Sequence, residues 1–150
     1  MRRLALTILA FAMSSTAAAQ SADLVTKSSA HDVPATVERL EAAIKKRGAT
    51  LVAKVDHAAA AKALGMELKP ATLLIFGNPR VGTPLMQVSP TVGLDLPMRV
   101  LVWQDSAGAT KIGYWAPVAL ERSHAIKDRE TVLKTMTDAL DAITAEAAAK

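Results

Sequence analysis

The order of hydrophobic periodicities along this chain predicts an α+β domain: a single, mostly antiparallel sheet with helices packed on one face. Three observations carry that prediction. The continuous apolar run ATLLIF at 71–76 sits between Pro70 and Gly77 and reads as a strand buried on both faces or nearly so. Residues 98–104 (MRVLVWQ) and 110–115 (TKIGYW) flank Asp105-Ser106-Ala107-Gly108, which is hairpin-turn chemistry. Two other segments place their apolar residues on one helical stripe each, so each has a single face to bury.

In chain order, residues 23–30 (DLVTKSSA) alternate weakly and read as an edge strand. Asp32 is placed to cap a helix with Pro34 in its first turn. Val33, Val37, Leu40 and Ile44 supply the stripe, and Gly48 ends the helix. Residues 49–55 (ATLVAKV) form the next strand. Asp56 then caps a short helix over 57–64, stopped by Gly65. After the strand at 71–76, residues 77–97 are heavily punctuated by Gly and Pro. They read as a structured connection with one or two helical turns near Leu85-Met86-Gln87-Val88. The hairpin comes next. Asp128 is placed to cap a last helix carrying Val132, Leu133, Met136, Leu140 and Ile143, with a fraying alanine-rich end. The strands at 71–76 and 98–104 are expected to be neighbours, with the helices at 33–47 and 128–145 on one face. Ile75→Asp is therefore expected to unfold the domain by burying a charge.

The first 19 residues have the order of a cleavable secretory signal. Arg2-Arg3 is followed by the apolar LALTILAFAM and by Ala17-Ala18-Ala19 before Gln20. The apolar run is too short for a spanning helix, which needs about 20 residues. The expected product is a periplasmic or secreted domain over 20–150, with no membrane span. Cleavage would remove two of the 18 Lys and Arg residues and none of the 14 Asp and Glu, so the net charge falls from +4 to 16 − 14 = +2. That charge, without a basic cluster interleaved with aromatics, argues against nucleic acid as a partner. The chain has no Cys, so thiol catalysis, thiolate metal sites and a disulfide framework are excluded.

Gly77-Asn78-Pro79-Arg80-Val81-Gly82-Thr83 has the outer glycine spacing of a phosphate loop. Thr83 stands where the phosphate-reaching Lys belongs, Pro84 stands at the Mg²⁺-binding hydroxyl, and Pro79 removes a backbone donor. It is read as a tight turn. His31 is read as a surface residue beside a cap. His57 and His124 sit at turns, where they either bond to backbone or converge with Asp56 as a general base or part of a metal site. Met66, Met86 and Met98 with two His would suit copper, although scattered Met more often fills cores. Trp103, Tyr114 and Trp115 read as a core anchor or as the floor of an apolar pocket.

Asp56-His57, Phe76-Gly77-Asn78-Pro79, Gly82-Thr83-Pro84-Leu85-Met86, Leu94-Asp95-Leu96-Pro97, Val102-Trp103, and Tyr114 three residues before Pro117 together resemble the domain-of-unknown-function family 302. The resemblance covers roughly residues 24–145. It implies a small α+β domain, often dimeric, sometimes exported, with no established activity. Where family members often carry an Arg directly before the histidine matching His124, this chain has Ser123. Lys111 stands where an aromatic is common.

The leading expectation is a non-enzymatic periplasmic binding or accessory domain, a homodimer, without a cofactor or resident metal. It would hold a small ligand between residues 77–97 and the Asp56-His57 turn, with Asp56, His57, Asn78, Thr83, Asp95 and His124 as candidate binding residues. The alternatives are a small hydrolase- or isomerase-like enzyme using His57 with Asp56 or Asp95, and a metal carrier using His57, His124 and Met side chains. The leading site requires Asp56, His57, Asn78 and Asp95 to meet at one end of the sheet. They would do so if the strands before Asp56 and Asn78 run parallel, with the short helix at 57–64 as the crossover.

Overall fold

A computed structural model of the protein describes residues 23–150. The secretory-signal reading falls on residues 1–19, outside the described residues. Five strands, β1 (Leu24–Ser28), β2 (Thr50–Asp56), β3 (Ala71–Gly77), β4 (Met98–Gln104) and β5 (Thr110–Trp115), form one sheet in the order β1-β5-β4-β3-β2. Every neighbouring pair is antiparallel. The α+β expectation holds, as does the adjacency of the strands at 71–76 and 98–104.

Helix α1 (Val33–Lys46) starts where its cap lies: Asp32 Oδ1 accepts from the Ala35 amide at 2.9 Å. Gly48, at φ +68°, lets the chain leave the helix in the left-handed region that residues with a Cβ avoid. Helix α5 (Glu130–Ala148) packs beside α1, and both cover the same sheet face. Leu40 and Ile44 of α1 and Leu140 and Ile143 of α5 meet Leu74, Val100 and Ile112 in the main core. A second cluster joins α3 (Pro79–Val88), a 3₁₀ segment (Pro90–Leu94), α4 (Val118–Ser123) and the first half of α5 around Leu85, Val92, Leu120 and Met136. Met98 packs against both clusters.

The structure corrects several expectations. β3 is buried on one face only: Leu74 and Phe76 point into the core, while Leu73 and Ile75 face the side that carries neither long helix and are half-buried. Ile75 lies across from Arg99, so an Asp there gains a cationic neighbour. The substitution that should unfold the domain is Leu74→Asp, at a fully buried position. Asp128 does not cap the last helix. It sits at φ +55°, and α5 begins after Arg129 without a side-chain cap. The alanine-rich end of α5 is held rather than frayed, since Thr144 and Ala147 are fully buried. Residues 79–88 form a full ten-residue helix in spite of Pro84 in its interior, and α4 was not expected.

The aromatic cluster divides. Tyr114 enters the core, the Trp103 ring packs against Gly113 on the opposite face, and Trp115 is exposed. A Cβ on Gly113 would come within 2.8 Å of the Trp103 ring, so a side chain there would force the indole to shift.

Candidate functional site

Antiparallel pairing of β2 and β3 decides where the candidate residues go. Asp56 lies across from Thr72 and Thr50 across from Gly77. The turn after β2 and the turn after β3 therefore open at opposite ends of the sheet, roughly 20 Å apart for strands of this length. The expected meeting of Asp56 and His57 with Asn78 and Asp95 does not occur. It fails because the connection over residues 57–70 returns the chain beside β2 in the reverse sense instead of crossing over. Asp56 is used as a cap for α2 (His57–Ala63), accepting from the Ala59 amide at 2.9 Å, and His57 is exposed. The same separation removes the pairing of His57 with Asp95 as acid and base, and of His57 with His124 as metal ligands. Among the described residues, no group of three His, Cys, Asp or Glu is placed to hold a metal ion.

The other four candidates share one end of the sheet. Asn78 caps α3, its Oδ1 accepting from the Arg80 amide at 3.0 Å, while its Nδ2 donates to the Gly48 carbonyl at 3.3 Å. Asn78 thus ties the start of α3 to the turn before β2. Directly before it, Gly77 lies against Pro97: a Cβ there would meet the proline Cβ at 3.2 Å. This contact joins the Phe76-Gly77-Asn78-Pro79 and Leu94-Asp95-Leu96-Pro97 segments.

Between α3, the middle of α5 and the adjoining ends of β2, β3 and β4 lies an open cavity of about 620 Å³. Its walls include Phe76, Met86, Met98, Met136, Leu140 and Ile143. The few polar groups on it include Asn78, Thr83 and Arg47. A concave, mostly apolar space with sparse polar groups is the usual form of a small-molecule site, and unbranched Met side chains let such a wall adapt to its occupant. Sequence reasoning singled out Asn78 and Thr83 but missed Met136 and Leu140. Those two lie on the buried stripe of α5, which reads only as core.

Asp95 and His124 form a second arrangement. His124 Nε2 lies 2.7 Å from Asp95 Oδ2, and its Nδ1 lies 3.0 Å from the Thr91 hydroxyl. Asp95 Oδ1 accepts from Arg99 at 3.0 Å, and the Ser89 hydroxyl donates to the His124 carbonyl at 2.9 Å. The His124 side chain is only 8% exposed. Hydroxyl, imidazole and carboxylate in this order can activate a nucleophile. Thr91, however, does not line this cavity. What the network does mechanically is clamp the 3₁₀ segment to the connection between α4 and α5.

Comparisons with known proteins agree with this architecture. A conserved DUF302 protein from Bacillus stearothermophilus superposes with a TM-score of 0.77 at 22% identity, covering 85% of this chain and 99% of that one. At that identity it speaks to the fold alone. The chain is also 40% identical over 126 residues to the fluoride-specific ion channel FluC 1 of Brucella suis and to that of Brucella abortus. The match takes in 83% of this chain but 50% and 47% of those relatives, so the chain spans about half the length of the curated proteins it matches. The sequence profile of the domain of unknown function DUF302 matches residues 25–143, and the chain belongs to that family.

Proposed function

We propose that this protein is an exported, non-enzymatic binding or accessory domain, a homodimer, that holds a small, largely apolar molecule in the cavity between α3 and α5. The observation that carries the reading is the cavity itself: about 620 Å³, open to solvent, with three methionines among its apolar walls. A solvent-open concavity of this size with mostly apolar walls and a few polar groups has the usual form of a small-molecule site. The match to about half the length of larger relatives supports the accessory part of the reading. The channel activity named for those relatives is not carried over. Among the described residues, no helix is long and apolar enough to cross a membrane.

Exposed apolar groups support the dimer. Leu64, Met66 and Leu68 come after α2, which buries none of its own residues, and Val55 is exposed on the neighbouring edge strand β2. A second copy would cover them. Sedimentation as a monomer at tens of micromolar would count against that part.

Binding is tested with N-phenyl-1-naphthylamine, an uncharged apolar fluorophore, titrated into the protein and into Ala139→Trp. Ala139 lines the cavity, and the added indole fills it. The expected result is enhanced fluorescence with one site per chain, weakened at least about tenfold in the variant. Equal binding by both proteins would contradict the reading.

A further inference from the structure

A second cleft, of about 310 Å³, lies at the same end of the sheet and shares Met98 with the apolar cavity. Its chemistry is different: Asp23, Asp95, Arg99 and Ser123 line it together with Trp115. Asp95 is held from two sides, by Arg99 on β4 at 3.0 Å and by His124 at 2.7 Å. Its carboxylate is therefore fixed in direction while still 39% exposed. A carboxylate offers about four acceptor positions, so two hydrogen bonds leave it able to accept more. Arg99 spends one of its five donors on Asp95, and its side chain is 45% exposed. Beside this pair Trp115, 52% exposed, offers an uncovered aromatic surface.

We propose that this cleft binds a small zwitterion of the α-amino-acid class. The ligand's ammonium would pair with Asp95, its carboxylate with Arg99, and its side chain would lie on Trp115. A simple anion would face the carboxylates of Asp23 and Asp95, and a simple cation would face Arg99. A ligand carrying both charges side by side meets both partners at once. Arg suits the carboxylate because its planar fork can give two parallel hydrogen bonds, and an aromatic face attracts an ammonium group as well as apolar surface. The volume corresponds to roughly ten waters at about 30 Å³ each, which is room for a single amino acid. Arg122, outside the cleft, donates to Asp23 and holds that carboxylate at its rim.

The test is an NMR titration of the protein with L-phenylalanine, with phenethylamine, which lacks the carboxylate, and with 3-phenylpropionate, which lacks the ammonium. The Trp115 indole N–H reports the cleft. The Trp103 indole, which does not line the cleft, is an internal control. Phenylalanine is expected to move Trp115 and leave Trp103 in place, and each truncated analogue to bind at least about tenfold more weakly. Arg99→Gln, at an exposed position, is expected to lose at least about tenfold for phenylalanine and little for phenethylamine. No shift at Trp115, equal affinity for the three probes, or unchanged phenylalanine binding in Arg99→Gln would overturn the proposal. Ala139→Trp separates the two sites: phenylalanine binding should survive it even though the apolar cavity is filled. A parallel loss would place the amino acid in that cavity and overturn the proposal as well.

Discussion

The two ends of the sheet start from the same local device and finish differently. At one end Asp56 closes β2 and caps α2; at the other Asn78 closes β3 and caps α3. Both side chains accept from a backbone amide at the start of the helix they open. The residues after the cap decide the outcome. α2 is His57 and then small and charged residues, and it has nothing large to bury. α3 carries Leu85, which is fully buried, and presents Val81 and Met86 to the cavity. A cap starts a helix, but only an apolar stripe attaches it to a core. The attached helix can wall a cavity, and the unattached one is left on the surface with exposed Leu64, Met66 and Leu68 beyond it.

The comparison predicts unequal costs at the two ends. Leu85→Ala should destabilise the domain by about 3 kcal/mol, since it removes a fully buried side chain that anchors α3 to the second cluster. Ala60→Gly in the exposed helix α2 should cost no more than about 1 kcal/mol. Urea unfolding of both variants measures this, and equal losses would break the comparison.

The two histidines should differ in the same direction by a smaller amount. His124→Ala removes the partner of both Asp95 and Thr91 and should cost roughly 1–2 kcal/mol. His57→Ala, at an exposed helix start, should stay within about 0.5 kcal/mol of the parent.

The smallest expected effect is electrostatic. Arg47 and then Lys46 hold Glu146 below the ordinary glutamate range through hydrogen bonds of 2.7 and 2.9 Å. A carboxyl whose folded pKa is depressed contributes stability above its unfolded pKa and loses it as the pH falls through the folded value. Stability should thus decline on acidification below about pH 4.3. Glu146→Gln should flatten that part of the curve. A parallel curve would mean that the ion pairs of Glu146 with Arg47 and Lys46 contribute nothing.

The fold was legible where local chemistry leaves one solution. Asp32 before Pro34, the stripe from Val33 to Ile44 and Gly48 after it define α1. The turn from Asp105 to Gly108, with Gly108 at φ +86°, defines the β4–β5 hairpin. The site was legible in parts. Asn78, Thr83, Asp95 and His124 do share an end, but Asp56 and His57 do not join them. A connection over residues 57–70 containing a seven-residue helix fits either a crossover or a long return, and nothing within it selects the direction. α3 was obscured by Pro84, which removes a hydrogen bond inside the helix and on propensity alone should end it. Leu85 in the second cluster overrides that preference. The cap assigned to Asp128 failed because the chain takes a left-handed turn there, which Asp tolerates better than most residues.

The central claim is that ligand recognition belongs to the Asn78 end of the sheet and not to the Asp56 end. Amide NMR mapping during titration with N-phenyl-1-naphthylamine tests it most directly. The account predicts saturable shifts in residues 78–86 of α3 and 135–143 of α5, with residues 56–63 unmoved. Shifts confined to residues 56–63, or the absence of any saturable shift, would contradict it.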